Sequence, residues 1–145
     1  EKDHLRGTIS HDPKNHQEMV TTRKQKVEKV ADYLPELDVY GAESGDVLVI
    51  GWGGTRGHLH STVKQLLDEG KSVAHLHFNY IYPLQKGVED ILKRYKRIIV
   101  CELNEGQFAN YLRQQFQKYE FESFGKTEGQ PFTVVELRER IEKMF

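Results

Sequence analysis

The chain has 145 residues, 37% of them hydrophobic and 30% charged, with 21 basic against 22 acidic side chains and a net charge of −1. That is about one domain's length, with apolar side chains enough for a core. The near-balance of charge lacks the basic excess that a phosphate backbone demands, which excludes nucleic-acid binding as the main role. No apolar run approaches the roughly 20 residues that span a bilayer, and the lone Cys101 cannot close an internal disulfide, in keeping with a reducing cytoplasm.

The first six residues, Glu1-Lys-Asp-His-Leu-Arg6, are polar and charged, unlike the apolar stretch of a signal peptide. A first residue of Glu rather than Met points to a piece of a longer protein. Residues 1–11 show no periodicity and read as a tail or linker. Asp12-Pro13 is a helix start, with Asp as N-cap and Pro in the first helical position. Val20, Val27, Val30, Ala31 and Leu34 then recur at helical spacing, and the helix should stop before Pro35.

Leu37-Asp-Val-Tyr40 is a short candidate strand. The six residues from Gly41 to Asp46 are too few for a crossover helix, so this strand should run antiparallel to those that follow. Strands are then predicted at 47–52, 72–78, 97–102 and 120–124, with helices near 57–69, 85–95, 106–117 and 133–144. Leu59, Val63, Leu66 and Leu67 share one helix face, and Gly70 closes that helix. The run Arg97-Ile-Ile-Val-Cys101 reads as a strand buried on both faces, as in a parallel sheet.

Two strand-to-helix turns carry the candidate chemistry. Gly51-Trp-Gly-Gly-Thr-Arg-Gly57 has the look of a phosphate cradle at a helix N-terminus. It lacks the third glycine of a dinucleotide fingerprint, where Arg56 stands, and the acidic residue expected near Phe78-Asn79. A Walker lysine is also missing. The plainer reading is that Gly53 and Gly54 allow a tight turn and close helix packing, while Thr55 and Arg56 keep an anion site open. The second turn, Glu102-Leu-Asn-Glu-Gly-Gln107, sets a carboxylate at the carboxyl end of a strand, where open α/β sheets bind ligands. Glu102 must pair or meet solvent there, and Asn104 caps the next helix more readily than it meets a ligand.

Gly53, Gly54, Thr55, Arg56, Glu102, Asn104, Gly106 and Gln107 are thus the ligand or interface candidates, with no catalytic residue assigned. Of the seven histidines, His75 and His77 point to one face of a strand, while His58 and His60 do not face each other. No third ligand stands at a sensible spacing, so no metal site is expected. Cys101, inside an apolar run, should be buried and inert.

Several of these stretches, in this order and spacing, resemble the alpha subunits of 2-oxoacid:ferredoxin oxidoreductases, the 2-oxoglutarate type especially. They are Asp12-Pro13 with His16, Met19, Arg23 and Lys26-Val27; Val49-Ile-Gly-Trp-Gly-Gly-Thr-Arg-Gly57; Leu76-His-Phe with Tyr82-Pro83; Glu102 with Asn104 and Gly106-Gln107; and Gly129 with Pro131-Phe-Thr133. Gly54 stands where the family commonly has Ser, and Phe78-Asn-Tyr-Ile-Tyr82 departs from its leucine-rich wording. The resemblance implies a transketolase C-terminal-like domain. Such a domain is a three-layer α/β/α sandwich with a five-stranded mixed sheet, four strands parallel and a short first strand antiparallel. Residues 1–36 would be linker and leading helix and residues 37–145 the domain.

The resemblance further implies a cytoplasmic enzyme that oxidatively decarboxylates 2-oxoglutarate or pyruvate to an acyl-CoA and reduces ferredoxin. Thiamine diphosphate, Mg, an iron–sulfur cluster and coenzyme A would serve that whole complex. None would be bound by this chain, whose single Cys cannot hold a four-iron cluster. The partners implied are the beta subunit and the upstream domains of the same subunit, with no membrane and no nucleic acid. The chain alone would be inactive and would serve subunit packing. An independent small-ligand or nucleotide-binding module of flavodoxin-like type is the alternative. A thiamine-dependent dehydrogenase beta chain or a transketolase should lack the Asp12-Pro13, His16 and Arg23 pattern.

Overall fold

In the strand Val47-Leu-Val-Ile50 successive side chains point to opposite faces, and all four are fully buried. Both faces must therefore be covered by helices. The computed structural model, which describes residues 1–145, shows how. Strands β1 (Val39–Gly41), β2 (Gly45–Trp52), β3 (Val73–Phe78), β4 (Tyr95–Glu102) and β5 (Phe121–Gly125) form one sheet in the order β1-β3-β2-β4-β5. The pairs β2–β3, β2–β4 and β4–β5 are parallel, and β1 lies antiparallel along β3. The expected mixed sheet with a reversed first strand is borne out.

Helices α2 (Arg56–Asp68) and α5 (Val134–Ile141) cover the face that carries Val47, Val49, Val73, Ile99 and Cys101. Leu59, Val63 and Leu66 of α2 are completely buried there, each worth about 1.5–3 kcal/mol of transfer free energy. Helices α3 (Val88–Leu92) and α4 (Gln107–Gln115) cover the other face, over Leu48, Ile50, Leu76, Phe78 and Val100. Gly70, with φ of +81°, ends the turn after α2, as the sequence predicts.

One expectation is corrected. The helix expected near 85–95 shrinks to Val88–Leu92. Gly87 is left-handed at φ +83° just before it, and Tyr95 belongs to β4, where its hydroxyl donates to the Ala42 carbonyl at 2.6 Å. The segment 1–11, read as a tail or linker, folds back on itself: Lys2 bridges Ile9, and Asp3 accepts from the backbone N–H of Leu5 and Arg6 at 3.0 and 2.8 Å. Asn15 ties this turn to the leading helix, accepting from the His4 N–H at 3.0 Å and donating to the Lys2 carbonyl at 2.8 Å. Short polar side chains do this work, and hydrophobic periodicity does not report it.

The leading helix α1 runs Pro13–Glu28 and continues as a 3₁₀ turn, Lys29–Tyr33. Asp12 caps it by accepting from the Lys14 N–H at 2.9 Å, as expected. Val20, Val27 and Val30, which keep the helical spacing, are 42%, 38% and 44% exposed.

Candidate functional site

The first parallel strand, β2, has β3 on one side and β4 on the other, so strand order reverses across β2–β4. The turns leaving β2 and β4 consequently lie side by side at the carboxyl end of the sheet, the usual binding crest of such folds. In the first turn Gly53 sits at φ +59°, the left-handed region that only glycine enters without strain. Gly54 has open space around it. Thr55 is buried and its hydroxyl donates to the Trp52 carbonyl at 2.9 Å, so it closes the turn on itself. Arg56, the first residue of α2, is exposed.

In the second turn Glu102 is fully buried, yet its carboxylate is matched. It accepts from the backbone N–H of Phe108 at 2.9 Å and of Ala109 at 3.0 Å, and from the indole N–H of Trp52 at 3.4 Å. Those amides belong to the first turn of α4, where free N–H groups and the helix dipole favour a negative charge. Glu102 thus fastens one crest turn to α4 and to the other crest turn. Asn104 accepts from the N–H groups of Gly106 and Gln107 at 2.8 and 3.0 Å, the capping role the sequence indicates. Gly106 is left-handed at φ +89°, and Gln107 opens α4.

The sequence candidates do not converge on one cavity. Gln107 lines an open apolar groove of about 230 Å³ with Trp52, Tyr82, Phe108 and Tyr111. Asn104 and Gln107 border a shallow polar hollow with Lys126. Arg56 faces elsewhere, into a polar cavity of about 140 Å³ with His60, His75, His77 and Gln85. His75 and His77 share a face there, their rings 5.6 Å apart and near perpendicular, and Tyr40 stacks on His60 at 4.0 Å. Burial, with His77 adding its repulsion, pushes the His75 imidazole down to about 3. His77 is lowered too, by burial and then by Arg56.

The Cys101 thiol is pushed up to about 12 by burial, which leaves no thiolate to act as a nucleophile. No three His, Cys, Asp or Glu side chains come together in a way that holds a metal ion. No helix is long and apolar enough to cross a membrane. Sequence reasoning missed Gln85, which lay inside a stretch read as helix. Its partner, the Pro35 carbonyl, accepts from it at 2.7 Å from fifty residues away, and no local pattern announces such a pair.

Topology and crest together define a three-layer α/β/α domain of the transketolase C-terminal type. No family model matches the chain. It is 33% identical over 133 residues to the 2-oxoglutarate oxidoreductase subunit KorA of Mycobacterium tuberculosis, covering 90% of this chain and 20% of that protein. It is 31% identical over 146 residues to the alpha subunit of 2-oxoacid:ferredoxin oxidoreductase 1 of Aeropyrum pernix, covering 93% of this chain and 22% of that subunit. Among solved structures, the 2-oxoglutarate:ferredoxin oxidoreductase of Magnetococcus marinus, with 2-oxoglutarate, coenzyme A and succinyl-CoA bound, superposes with a TM-score of 0.89. The identity is 26%, over 99% of this chain and 26% of that one. The chain spans about a fifth of the length of the curated relatives it matches. It is a homologue of one segment of 2-oxoacid:ferredoxin oxidoreductase alpha subunits.

Proposed function

We propose that the chain is the C-terminal domain of the alpha subunit of a 2-oxoacid:ferredoxin oxidoreductase, and that it supports the assembly without supplying a reacting group. Residues 1–36 form a linker and leading helix, and residues 37–145 the α/β domain. The whole enzyme, cytoplasmic, oxidatively decarboxylates 2-oxoglutarate or pyruvate to the acyl-CoA and passes electrons to ferredoxin. The observation that carries this reading is the near-complete overlay, 99% of the chain, on one part of an oxidoreductase that holds 2-oxoglutarate and coenzyme A.

The crest chemistry supports a scaffold. Glu102 is occupied by three N–H donors, the Thr55 hydroxyl by its own turn, and Cys101 is protonated and buried. The donor set also fails to fit the metal cofactors of such enzymes, with one cysteine in the chain and no three-residue ligand cluster. On this reading thiamine diphosphate, Mg, the iron–sulfur cluster and coenzyme A serve the whole complex and are held by the beta subunit and the upstream domains of the same subunit. Gly53, Gly54, Thr55, Glu102, Asn104, Gly106 and Gln107 build the crest that packs against those neighbours.

The test has two arms. The purified chain, given 2-oxoglutarate or pyruvate with coenzyme A and an electron acceptor, should show no turnover; turnover without a partner chain refutes the scaffold role. Co-expressed with the upstream part of its parent subunit and with the beta subunit, it should co-purify and restore acyl-CoA formation. Failure to associate with either refutes the assignment to the complex.

A further inference from the structure

The apolar groove of about 230 Å³ on the crest is walled by aromatic rings that a purely structural role leaves without a task. Trp52, Phe108, Tyr111 and Tyr82 follow one another along it, with ring centroids 6.1, 6.2 and 6.5 Å apart. Tyr82 and Ile81 are 63% and 37% exposed, and Trp52 and Tyr111 are half-buried, so a guest reaches these walls from solvent. An aromatic face carries partial negative charge and attracts a cation laid over it. No lysine, arginine, aspartate or glutamate lines the groove. Arg113, the basic residue of α4, is engaged elsewhere, by Asn110 and by the Phe121 carbonyl of β5.

The charge behind those walls has a definite sign. A helix N-terminus at such a crest ordinarily offers free N–H groups to an anion. Here the N–H groups of Gly106 and Gln107 are taken by Asn104, and those of Phe108 and Ala109 by Glu102. The Glu102 carboxylate also receives the Trp52 indole N–H at 3.4 Å, which sets a full negative charge behind one wall of the groove. The end of α4 carries about half a positive charge, so the carboxylate outweighs it and the field in the groove favours a cation. We infer that the groove seats an arginine side chain of the polypeptide packed against the crest in the assembled oxidoreductase, an inference that rests on the place proposed for the chain in that complex.

Among cations a guanidinium fits best. It is planar, stacks on aromatic rings and is more weakly hydrated than an ammonium, so an apolar groove strips its water at less cost. Gln107 stands at the rim with its backbone N–H held by Asn104 and its side-chain amide unengaged. The amide oxygen accepts one of the N–H donors that the rings leave over. An aliphatic side chain fills the same space but answers neither Gln107 nor the charge of Glu102. A carboxylate is repelled by the ring faces and by Glu102 alike.

One arm of the test titrates the full 145-residue chain with N-acetyl-arginine amide, reading the fluorescence of Trp52, its only tryptophan. The citrulline and leucine derivatives serve as uncharged isostere and apolar control, at matched ionic strength. The arginine derivative should bind with a Kd of about 1–10 mM and at least about threefold more tightly than either control. Tyr82→Leu, at an exposed position, should weaken it by about threefold, and Tyr82→Phe, which keeps the ring, should not. Equal binding by either control, or no response of Trp52 at about 50 mM, overturns the inference. The other arm places photoreactive p-benzoylphenylalanine at position 82 of the chain co-expressed with the beta subunit and the upstream part of its parent subunit. Light should link it to a neighbouring segment that holds an arginine beside the linked residue; a linked segment without arginine overturns the inference alone. Unsubstituted chains that do not assemble strike the place in the oxidoreductase, and this inference with it.

Discussion

Glu102 shows how a residue can sit at a binding crest without being free to act. A carboxylate with no solvent must be paired or it is prohibitively costly, and here two helix N–H groups and an indole N–H pair it. Glu102→Gln swaps one acceptor oxygen for an NH₂ that faces those donors. It should cost about 1.5–3 kcal/mol of stability, read as a lower urea midpoint at constant m-value; an unmoved midpoint refutes the fastening role. His75 acts in the opposite way. Its folded imidazole takes a proton only near 3, against 6.5 ordinarily. Between those values the unfolded chain holds the extra proton, so the stability from His75 is full above 6.5 and falls as pH drops toward 3. His75→Leu, which cannot titrate, should flatten that acid limb in urea titrations across the range. An unchanged slope removes His75 as its source.

At the level of elements, helix ends were the most legible feature of the chain. Asp12, Asn104 and Gly70 all act where a short polar side chain or glycine meets an apolar period. Thr133 and Glu136 form a reciprocal capping box on α5, which Lys126 reinforces by donating to Glu136 at 2.7 Å. The Glu136 carboxyl is held down to about 2, chiefly by Lys126. Thr133→Ala should lower stability by about 1 kcal/mol, seen as a drop in Tm. The sequence overextended α3 because Leu84, Val88, Ile91 and Leu92 keep a helical spacing. Gly87 in the left-handed region and the draw of Tyr95 into the sheet override that spacing.

Across the whole molecule two populations of apolar side chain stand apart. Those on α2 and α5 close one face of the sheet, while the valines of α1 stay open to solvent. Leu66→Ala should therefore cost about 2–5 kcal/mol, whereas Val20→Ser or Val27→Ser should change stability by less than about 0.5 kcal/mol. Chemical denaturation of the three variants checks the contrast. The sequence by itself determined the strand count, the reversed first strand, the two-sided burial of the sheet and the two crest turns. Each of these follows from local periodicity, loop length or turn chemistry, which neighbouring residues carry between them. Only the tertiary structure decided that Glu102 is matched by Trp52 and α4, that segment 1–11 folds onto α1, and that Arg56 shares a cavity with the histidines and not with the other candidates. Those outcomes join residues up to fifty positions apart. Their partners are set by where the sheet brings the chain, and no local pattern encodes that.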